Sequence, residues 1–426
     1  MLRRQLETAF REQQRFAEGY SPLYAQLFGI VGDWLAGGTA DPVVEWLLGA
    51  AADRPPFDVT LLLMAALHRD VLAGEPAAAE LGRYYSTSGL PPADDGRQTA
   101  DDNKSRRTVI HGLSSVVRGM PSAAVLRETI LARRDALGEF IRTANVQTNE
   151  TGRGLAWLLP AACLGWDGVH LVELGASAGL NLVADRRSYR LADAADPSRT
   201  LLQLGAGPPQ FTTLVGGVDH GRRTTDDGGS VRTVVCRLSS VVSLPTILSR
   251  TGGDVRPFHL RNAEDELTLA SYVWGDQAQR MTRLREGIAA LRAVESSAAP
   301  VRLAPLNLPD GLPRFLVEEL PRPLDAPVVI YNTVVTLYLP DRGASLRSMV
   351  AEWAGRQSVP VLWLQWEPWW DGPPPSGKEW MAWTADLWPN DGRAVARRYH
   401  LAWVHPHGAA LHWEPGWEAF MARSPA

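Results

Sequence analysis

One stretch of the chain, GVHLVELGASAGLNLVA at residues 168–184, constrains the fold more than any other. It begins as an apolar run with Glu173 near its end, continues with Gly175, Ser177 and Gly179 at alternate positions, and then becomes apolar again. This order predicts a buried strand, a tight turn and a helix. Because glycines permit positive φ and leave room for a ligand close to the backbone, the turn is a candidate binding site.

Two classes of enzyme use such a turn. In the first, E-x-G-x-S-x-G is the opening motif of a class I S-adenosylmethionine-dependent methyltransferase, where the glycines admit the methionine part of the cofactor. Glu173 then anchors the turn or the ligand's ammonium, and Asn181 completes the segment. In the second, G-x-S-x-G is the nucleophile elbow of a serine hydrolase with Ser177 as the nucleophile. A tight turn without a ligand is the third interpretation, since isolated glycine motifs are weak signals.

Composition limits the partners of the chain. Its 426 residues are enough for two domains, and 45% hydrophobic and 21% charged residues are typical of a globular protein. A formal net charge of -4 predicts no general attraction to nucleic acid or to an anionic membrane. The two cysteines, Cys163 and Cys236, are too few for a disulfide framework or a structural zinc site, so no metal is expected. With no apolar run of about 18 residues, we expect a cytoplasmic protein without a membrane partner.

Residues 1–165 are predicted to form an all-α N-terminal domain. Ser21-Pro22 and Asp41-Pro42 each place a capping side chain before a proline at the first helical position. The segments 58–74 and 122–143 predict further helices.

The polar run QTNETGR, residues 147–153, opens the last helix before the glycine turn. Ordinary capping by Thr148 or Asn149 explains part of its polarity. In the alternative, functional interpretation, Asn149, Glu150 and Arg153 form a polar lid over a ligand at the glycine turn.

Residues 166–426 are predicted to form an α/β domain. Between about residues 187 and 245, short alternating runs separated by turn-forming residues predict a small β insertion. Parallel β–α alternation then resumes at Thr251-Gly-Gly-Asp254, where Asp254 is the candidate acid for ribose hydroxyls.

Polar residues follow two later apolar runs. Asn332 lies in APVVIYNTVVTLYL, residues 326–339, and Glu367 lies in VPVLWLQWEPWW, residues 359–370. Since the carboxyl ends of parallel strands share one edge of a sheet, we expect both side chains near Gly175. The segment YHLAWVHPHGAALHWEP, residues 399–415, predicts a terminal hairpin that carries His405, His407 and His412.

Six motifs together resemble a known family. QTNETGR, LVELGASAGLNLVADR, GGDVRP, YVWGDQAQRMTRL, VVIYNTVVTLYL and VHPHGAALHW occur in the order and approximate spacing of the uncharacterised bacterial domain-of-unknown-function family 2332. That family is similar in its central part to class I methyltransferases, with a helical region before it. The resemblance implies a Rossmann-like open sheet, mostly parallel with a C-terminal antiparallel hairpin, and an S-adenosylmethionine site.

These observations predict an S-adenosylmethionine-dependent methyltransferase that acts on a small molecule. Methyl transfer needs a positioned acceptor and often a base, for which Glu367 is the first candidate and His407 the second, with Asn332 to position the acceptor. Eleven of the sixteen tryptophans fall between Trp353 and Trp417, so an apolar or aromatic acceptor is expected. The alternatives are a non-catalytic cofactor-binding or scaffold protein and a serine hydrolase. The sequence does not indicate an oligomeric state.

Overall fold

The computed structural model of the protein describes residues 1–37, 40–87, 119–147, 149–216, 243–368, 372, 374–375, 380–390 and 395–422. The chain divides into two compact units. The first comprises Met1–Asn149 with Leu260–Arg285, and the second comprises Glu150–His259 with Glu286–Ala426.

The first unit is helical. Its helices are Leu2–Glu18, Pro22–Ala36, Pro42–Ala50, Pro56–Ala73, Ala79–Gly82, Ala123–Thr143 and Ala263–Ser271, with a 3₁₀ turn at Pro76–Ala78. Both predicted N-caps are confirmed: Ser21 accepts the Tyr24 N–H, and Asp41 accepts the N–H groups of the first turn of its helix. Among the described residues, no helix combines the length and the apolar character needed to cross a membrane. The helix Ala278–Glu295 continues from the residues of the first unit into those of the second.

The second unit contains one eleven-stranded sheet. Its strands are β1 Gly168–Leu174, β2 Tyr189–Asp193, β3 Thr200–Leu204, β4 Phe211–Gly216, β5 Thr246–Asp254, β6 Val301–Pro305, β7 Val328–Thr333, β8 Val361–Glu367, β9 Met381–Trp388, β10 Arg397–Val404 and β11 Ala410–Trp413. They lie in the order β3-β2-β4-β11-β10-β9-β8-β7-β1-β5-β6. The block β6-β5-β1-β7-β8 is entirely parallel, and β10 and β11 form an antiparallel hairpin. The predicted open, mostly parallel α/β sheet with a C-terminal hairpin is confirmed.

Helices cover both faces of the parallel block. The buried helix Leu155–Cys163 packs on the face that carries Leu171 and Val329. The helices Leu312–Glu318 and Ala344–Ala354 pack on the opposite face with Val172 and Ile330. Because side chains alternate along a strand, Glu173 lies on the same face as Leu171, beneath the Leu155–Cys163 helix.

The predicted helix after the glycine turn is wrong. Residues 175–188 are all described, and they form successive turns and a 3₁₀ helix at Ala184–Arg186 without an α-helix. Ser177 and Gly179 have φ values of +48° and +72°. These left-handed conformations interrupt the right-handed backbone that an α-helix requires. The turn therefore presents no helix N-terminus to a ligand.

The segment predicted as a β insertion contributes β2, β3 and β4 to the large sheet. β2 and β3 are an antiparallel hairpin, and β4 pairs in parallel with both β2 and β11. The rest of the predicted insertion, residues 217–242, lies outside the described residues.

Candidate functional site

Backbone hydrogen bonds tie the glycine turn to the end of β5. The N–H groups of Gly175 and Ala176 donate to the Gly253 carbonyl at 2.8 and 3.1 Å. The Ser177 N–H donates to Asp254 Oδ2 at 2.8 Å, and the Arg256 N–H donates to Oδ1 at 2.9 Å. Asp254 thus lies where the sequence predicts it, at the carboxyl end of the strand beside β1. In this structure its carboxylate organises the turn.

The glycines of the turn are required by the fold itself. Gly175 has φ +82°, and a Cβ there would lie 2.4 Å from Val335 Cγ2. Gly179 has φ +72°, and its Cβ would lie 3.0 Å from Val301 Cγ1. In both cases the space that a side chain would need is filled by protein. Gly175 is nevertheless exposed, so its backbone is open to a ligand.

Glu173 is a buried acid with only 2% of its surface exposed. Its register partner on β7 is Tyr331, which is fully buried. Burial is the main cause that raises the pKa of Glu173 from 4.5 to about 8, and the nearby Asp254 carboxylate raises it further. The Tyr331, Asn181 and Arg153 side chains act in the opposite direction and lower this pKa. Glu173 is therefore mostly protonated at neutral pH.

Three buried polar atoms lie together here without a well-aligned hydrogen bond among the described residues, although the Tyr331 and Asn181 side chains are close enough to Glu173 to lower its pKa: Glu173 Oε2, the Tyr331 hydroxyl and Asn181 Oδ1. Trp157, on the Leu155–Cys163 helix, covers these three atoms. Its Nε1 donates to the Asn181 carbonyl at 2.8 Å, and the centroid of its ring lies 6.4 Å from that of Tyr331. Buried polar atoms are normally paired, so this group is suited to receive a polar ligand or water.

Two motifs that are far apart in the sequence meet at His407. The Glu150 Oε2 atom lies 3.3 Å from His407 Nδ1, and Arg153 Nε donates to the Pro406 carbonyl at 2.9 Å. Arg153 also lies close enough to Glu173 to lower its pKa. Glu150 and Arg153 therefore connect the histidine turn with the acid of β1. Asn149 is a half-buried residue at the end of the first unit, and Thr148 lies outside the described residues.

Asn332 and Glu367 lie at the carboxyl edge as predicted, but they bind each other. Asn332 Nδ2 donates to Glu367 Oε1 at 2.7 Å, and Asn332 Oδ1 accepts from Trp363 Nε1 at 2.8 Å. Glu367 also accepts from the Val335 N–H at 2.8 Å and from both the N–H and the hydroxyl of Thr336 at 3.1 and 2.7 Å. Burial raises the pKa of Glu367, and these hydrogen bonds lower it. With four donors on one carboxylate, this geometry favours an anchor for the loop after β7 over a base.

The structure thus brings together Glu173, Asn181, Glu150, Arg153 and His407, with Asp254 on the other side of the glycine turn. Tyr331 and Trp157 also belong to this group, and neither was predicted as a site residue. Tyr331 is recognisable only from the register of β1 against β7, and Trp157 only from the packing of its helix. Of the tryptophans near Glu367, Trp363 and Trp366 are buried in the core, and Trp369 and Trp370 lie outside the described residues.

A separate hollow lies at the opposite, amino edge of the parallel block. It has a volume of about 580 Å³ and is lined mainly by Gly165–Gly168 and Asp325–Pro327. Beside it, His170 contacts Ser249 Oγ through Nδ1 at 2.9 Å and Asp325 Oδ1 through Nε2 at 3.2 Å.

Comparison with known proteins identifies the family of this chain. No curated protein and no solved structure matches it. A family model described as an uncharacterized protein conserved in bacteria matches residues 114–413, which include the QTNETGR run, the glycine turn and the histidine turn. The chain therefore belongs to the DUF2332 family.

Proposed function

We propose that this protein binds S-adenosylmethionine at the carboxyl edge of β5, β1 and β7 and transfers its methyl group to a small molecule. The order β6-β5-β1-β7-β8 supports the location, because the chain reverses direction across the sheet between β1 and β7. In open α/β sheets, ligands bind in the crevice at such a switch point. The low number of cysteines supports a cytoplasmic location.

One observation carries the proposal: two acids at the ends of neighbouring parallel strands, Glu173 and Asp254, flank a glycine turn whose first residue, Gly175, is exposed. Each Asp254 oxygen accepts one backbone N–H and keeps a second lone pair, so the carboxylate can also accept from ribose hydroxyls. Glu173, at the end of β1, would pair with the ligand's ammonium, because a positive charge beside the buried carboxyl lowers its raised pKa and favours the ionised form. Asn181 Oδ1 offers a further acceptor.

The bound cofactor would supply an activated methyl group, and the chain must position the acceptor and take up its proton. His407 is our candidate base, since its turn follows β10 at the carboxyl edge of the sheet and its Nδ1 atom lies 3.3 Å from the Glu150 carboxylate. Glu367 and Asn332 hold the loop that carries Val335, whose side chain packs on Gly175. Glu367 and Asn332 therefore support the glycine turn and do not contact the acceptor.

Isothermal titration calorimetry with S-adenosylmethionine and S-adenosylhomocysteine tests the proposal. We expect heat of binding and a concentration-dependent rise in melting temperature for both ligands. ATP and NAD serve as controls that share the adenosine part but lack the methionine part. The proposal is contradicted if neither ligand gives heat or stabilisation at millimolar concentration.

The two alternatives give different results. A nucleophile elbow is a strand-to-helix turn, and no α-helix follows Ser177 within the described residues 175–188. Labelling of Ser177 by a fluorophosphonate probe, absent from Ser177→Ala, would nevertheless favour the hydrolase. Cofactor binding without methyl transfer to any acceptor would favour the binding or scaffold protein.

A further inference from the structure

Glu173 occupies an enclosed position at the end of β1. The helix Leu155–Cys163 lies over it on one face of the sheet, and every residue of this helix is buried and uncharged. Within the sheet, Glu173 lies in register between Gly252 of β5 and Tyr331 of β7. Only 2% of the Glu173 surface is exposed. Water therefore does little to stabilise a negative charge on this carboxyl group.

Burial is the main influence on the charge of Glu173, and two charged side chains nearby oppose each other. Asp254, at the end of β5, raises the pKa of Glu173, and Arg153 lowers it. Arg153 is also engaged elsewhere, since its Nε donates to the Pro406 carbonyl at 2.9 Å. The two nearby charges therefore do not override the effect of burial.

Among the described residues, the other polar groups on this face supply no countercharge to Glu173. Arg250 of β5 donates from its two terminal nitrogen atoms to the Asp185 carboxylate, at 2.7 Å in each case. Burial raises the pKa of Tyr331 well above its ordinary value, so the phenol is uncharged. Asn181 carries a neutral amide. Glu173 thus has polar neighbours in the described part of the chain, but its charge is not neutralised by them.

A buried carboxyl group without a countercharge takes up a proton, because burial disfavours the charged form. The pKa of about 8 agrees with this conclusion. An ammonium group supplies what the site lacks, since it carries one positive charge and three N–H donors. Glu173 Oε2, Asn181 Oδ1 and the Tyr331 hydroxyl can each accept one of these donors.

We propose that Glu173 releases a proton when the ammonium group of S-adenosylmethionine binds beside it, so that the affinity for this cofactor rises with pH. This inference rests on the proposed cofactor site and assigns that site a form of regulation. The neutral acid and the ammonium become a carboxylate–ammonium pair, and the proton passes from the carboxyl oxygen to the buffer. No bond to carbon or sulfur changes in this step.

The direction and size of the pH effect follow from this exchange. Below the folded-state pKa of about 8, each ligand that binds displaces about one proton. The Kd should therefore fall about tenfold for each unit of pH between about pH 5.5 and about pH 7. The amino group of the ligand stays mostly protonated across this range, so its own titration contributes little.

Isothermal titration calorimetry with S-adenosylhomocysteine measures both the Kd and the proton release. Titrations at about pH 6.5 in phosphate and in imidazole, two buffers with different heats of protonation, give the number of protons released per ligand. We expect about one proton per ligand for the wild type. 5′-Methylthioadenosine keeps the adenine and the ribose but lacks the ammonium group, so it should bind without proton release.

Glu173→Gln is the matched variant, since it keeps the size of the side chain and has no proton to release. Its Kd for S-adenosylhomocysteine should change less than about twofold over the same pH range, and binding should release no proton. If this variant fails to fold, the comparison of the two ligands on the wild type still decides the inference.

The outcomes separate this inference from the proposed function. Binding of S-adenosylhomocysteine to the wild type without proton release would overturn the inference and leave the proposed function intact. Equal proton release by a folded Glu173→Gln variant, or by 5′-methylthioadenosine, would also overturn it, because the proton would then come from another group. Absence of binding at every pH would contradict the proposed function and this inference together.

Discussion

The Asp254 carboxylate accepts the Ser177 backbone N–H at 2.8 Å, so the acid at the end of β5 holds the glycine turn that follows β1. Its other oxygen accepts the Arg256 N–H. One side chain therefore fixes two loops at the carboxyl edge of the sheet.

Asp254→Asn should destabilise the protein. The asparagine NH₂ group is a hydrogen-bond donor, so it cannot accept from the Ser177 or Arg256 N–H that it faces, and that N–H loses its partner. We expect a loss of about 1 to 3 kcal/mol in the free energy of unfolding, measured by urea denaturation. Asp196→Asn is a matched control, since Asp196 also accepts a backbone N–H but lies on the surface. Equal effects of the two changes would contradict the assigned role of Asp254.

Gly175→Ala should lower the free energy of unfolding by more than the positive φ of this residue alone explains. Gly207 has a similar φ of +85° with nothing within 4 Å of a Cβ, so Gly207→Ala measures the conformational cost, about 1 to 2 kcal/mol. Gly175→Ala should add about 1 to 3 kcal/mol because its Cβ meets Val335. Val335→Ala combined with Gly175→Ala should recover the added part. Identical losses for the two glycine variants would show that packing against Val335 does not matter.

Glu367→Gln separates a structural acid from a base. Replacing one carboxylate oxygen by an amide group leaves at least one buried N–H of the loop after β7 unpaired, so we expect a loss of about 2 kcal/mol in the free energy of unfolding. Glu318→Gln, at an exposed ion pair with Arg314, should have a much smaller effect. Unchanged stability with a large loss of turnover would restore Glu367 as the catalytic base.

Glu173 predicts a pH dependence of stability. Its folded-state pKa of about 8 lies above the ordinary 4.5, so the folded state binds more protons than the unfolded chain between these values. The stability that Glu173 contributes is fully present below about pH 4.5 and is lost as the pH rises through 8. Glu173→Gln stays uncharged and should not show this loss.

The difference between wild type and Glu173→Gln should therefore grow with pH, to about 5 kcal/mol above the folded-state pKa. Urea denaturation across this range measures it, with the exposed Glu139→Gln as the control. A constant difference between wild type and Glu173→Gln would mean that Glu173 is already ionised at acidic pH.

Local patterns were sufficient to predict much of this fold. The apolar runs of β1, β7 and β8, the proline-preceded N-caps and the terminal hairpin each depend on neighbouring residues, and all are present in the structure. The helix after the glycine turn was wrong because apolar spacing alone does not show that Ser177 and Gly179 adopt positive φ. Ser177 donates its N–H to Asp254 of β5, and Gly179 lies close to Val301 and Leu303 of β6, so both residues contact strands that are distant in the sequence.

The candidate site was predictable only as separate motifs. The polarity of QTNETGR and of the histidine turn was visible, but the contact between Glu150 and His407 joins residues 257 positions apart (407 minus 150). The pairing of Glu173 with Tyr331 depends on strand register in the same way. Glu367 was predicted at the correct edge, but its four donors come from a loop whose path the sequence does not specify.

A crystal structure of the protein with S-adenosylhomocysteine would show directly whether the cofactor binds at the carboxyl edge of the sheet. We expect the ligand to lie over Gly175, with its ribose hydroxyls within hydrogen-bond distance of Asp254 and its ammonium group near Glu173 and Asn181. Ligand density in the hollow at the amino edge, beside Asp325 and Pro327, would contradict the proposed site, as would a carboxyl edge that stays empty at saturating ligand.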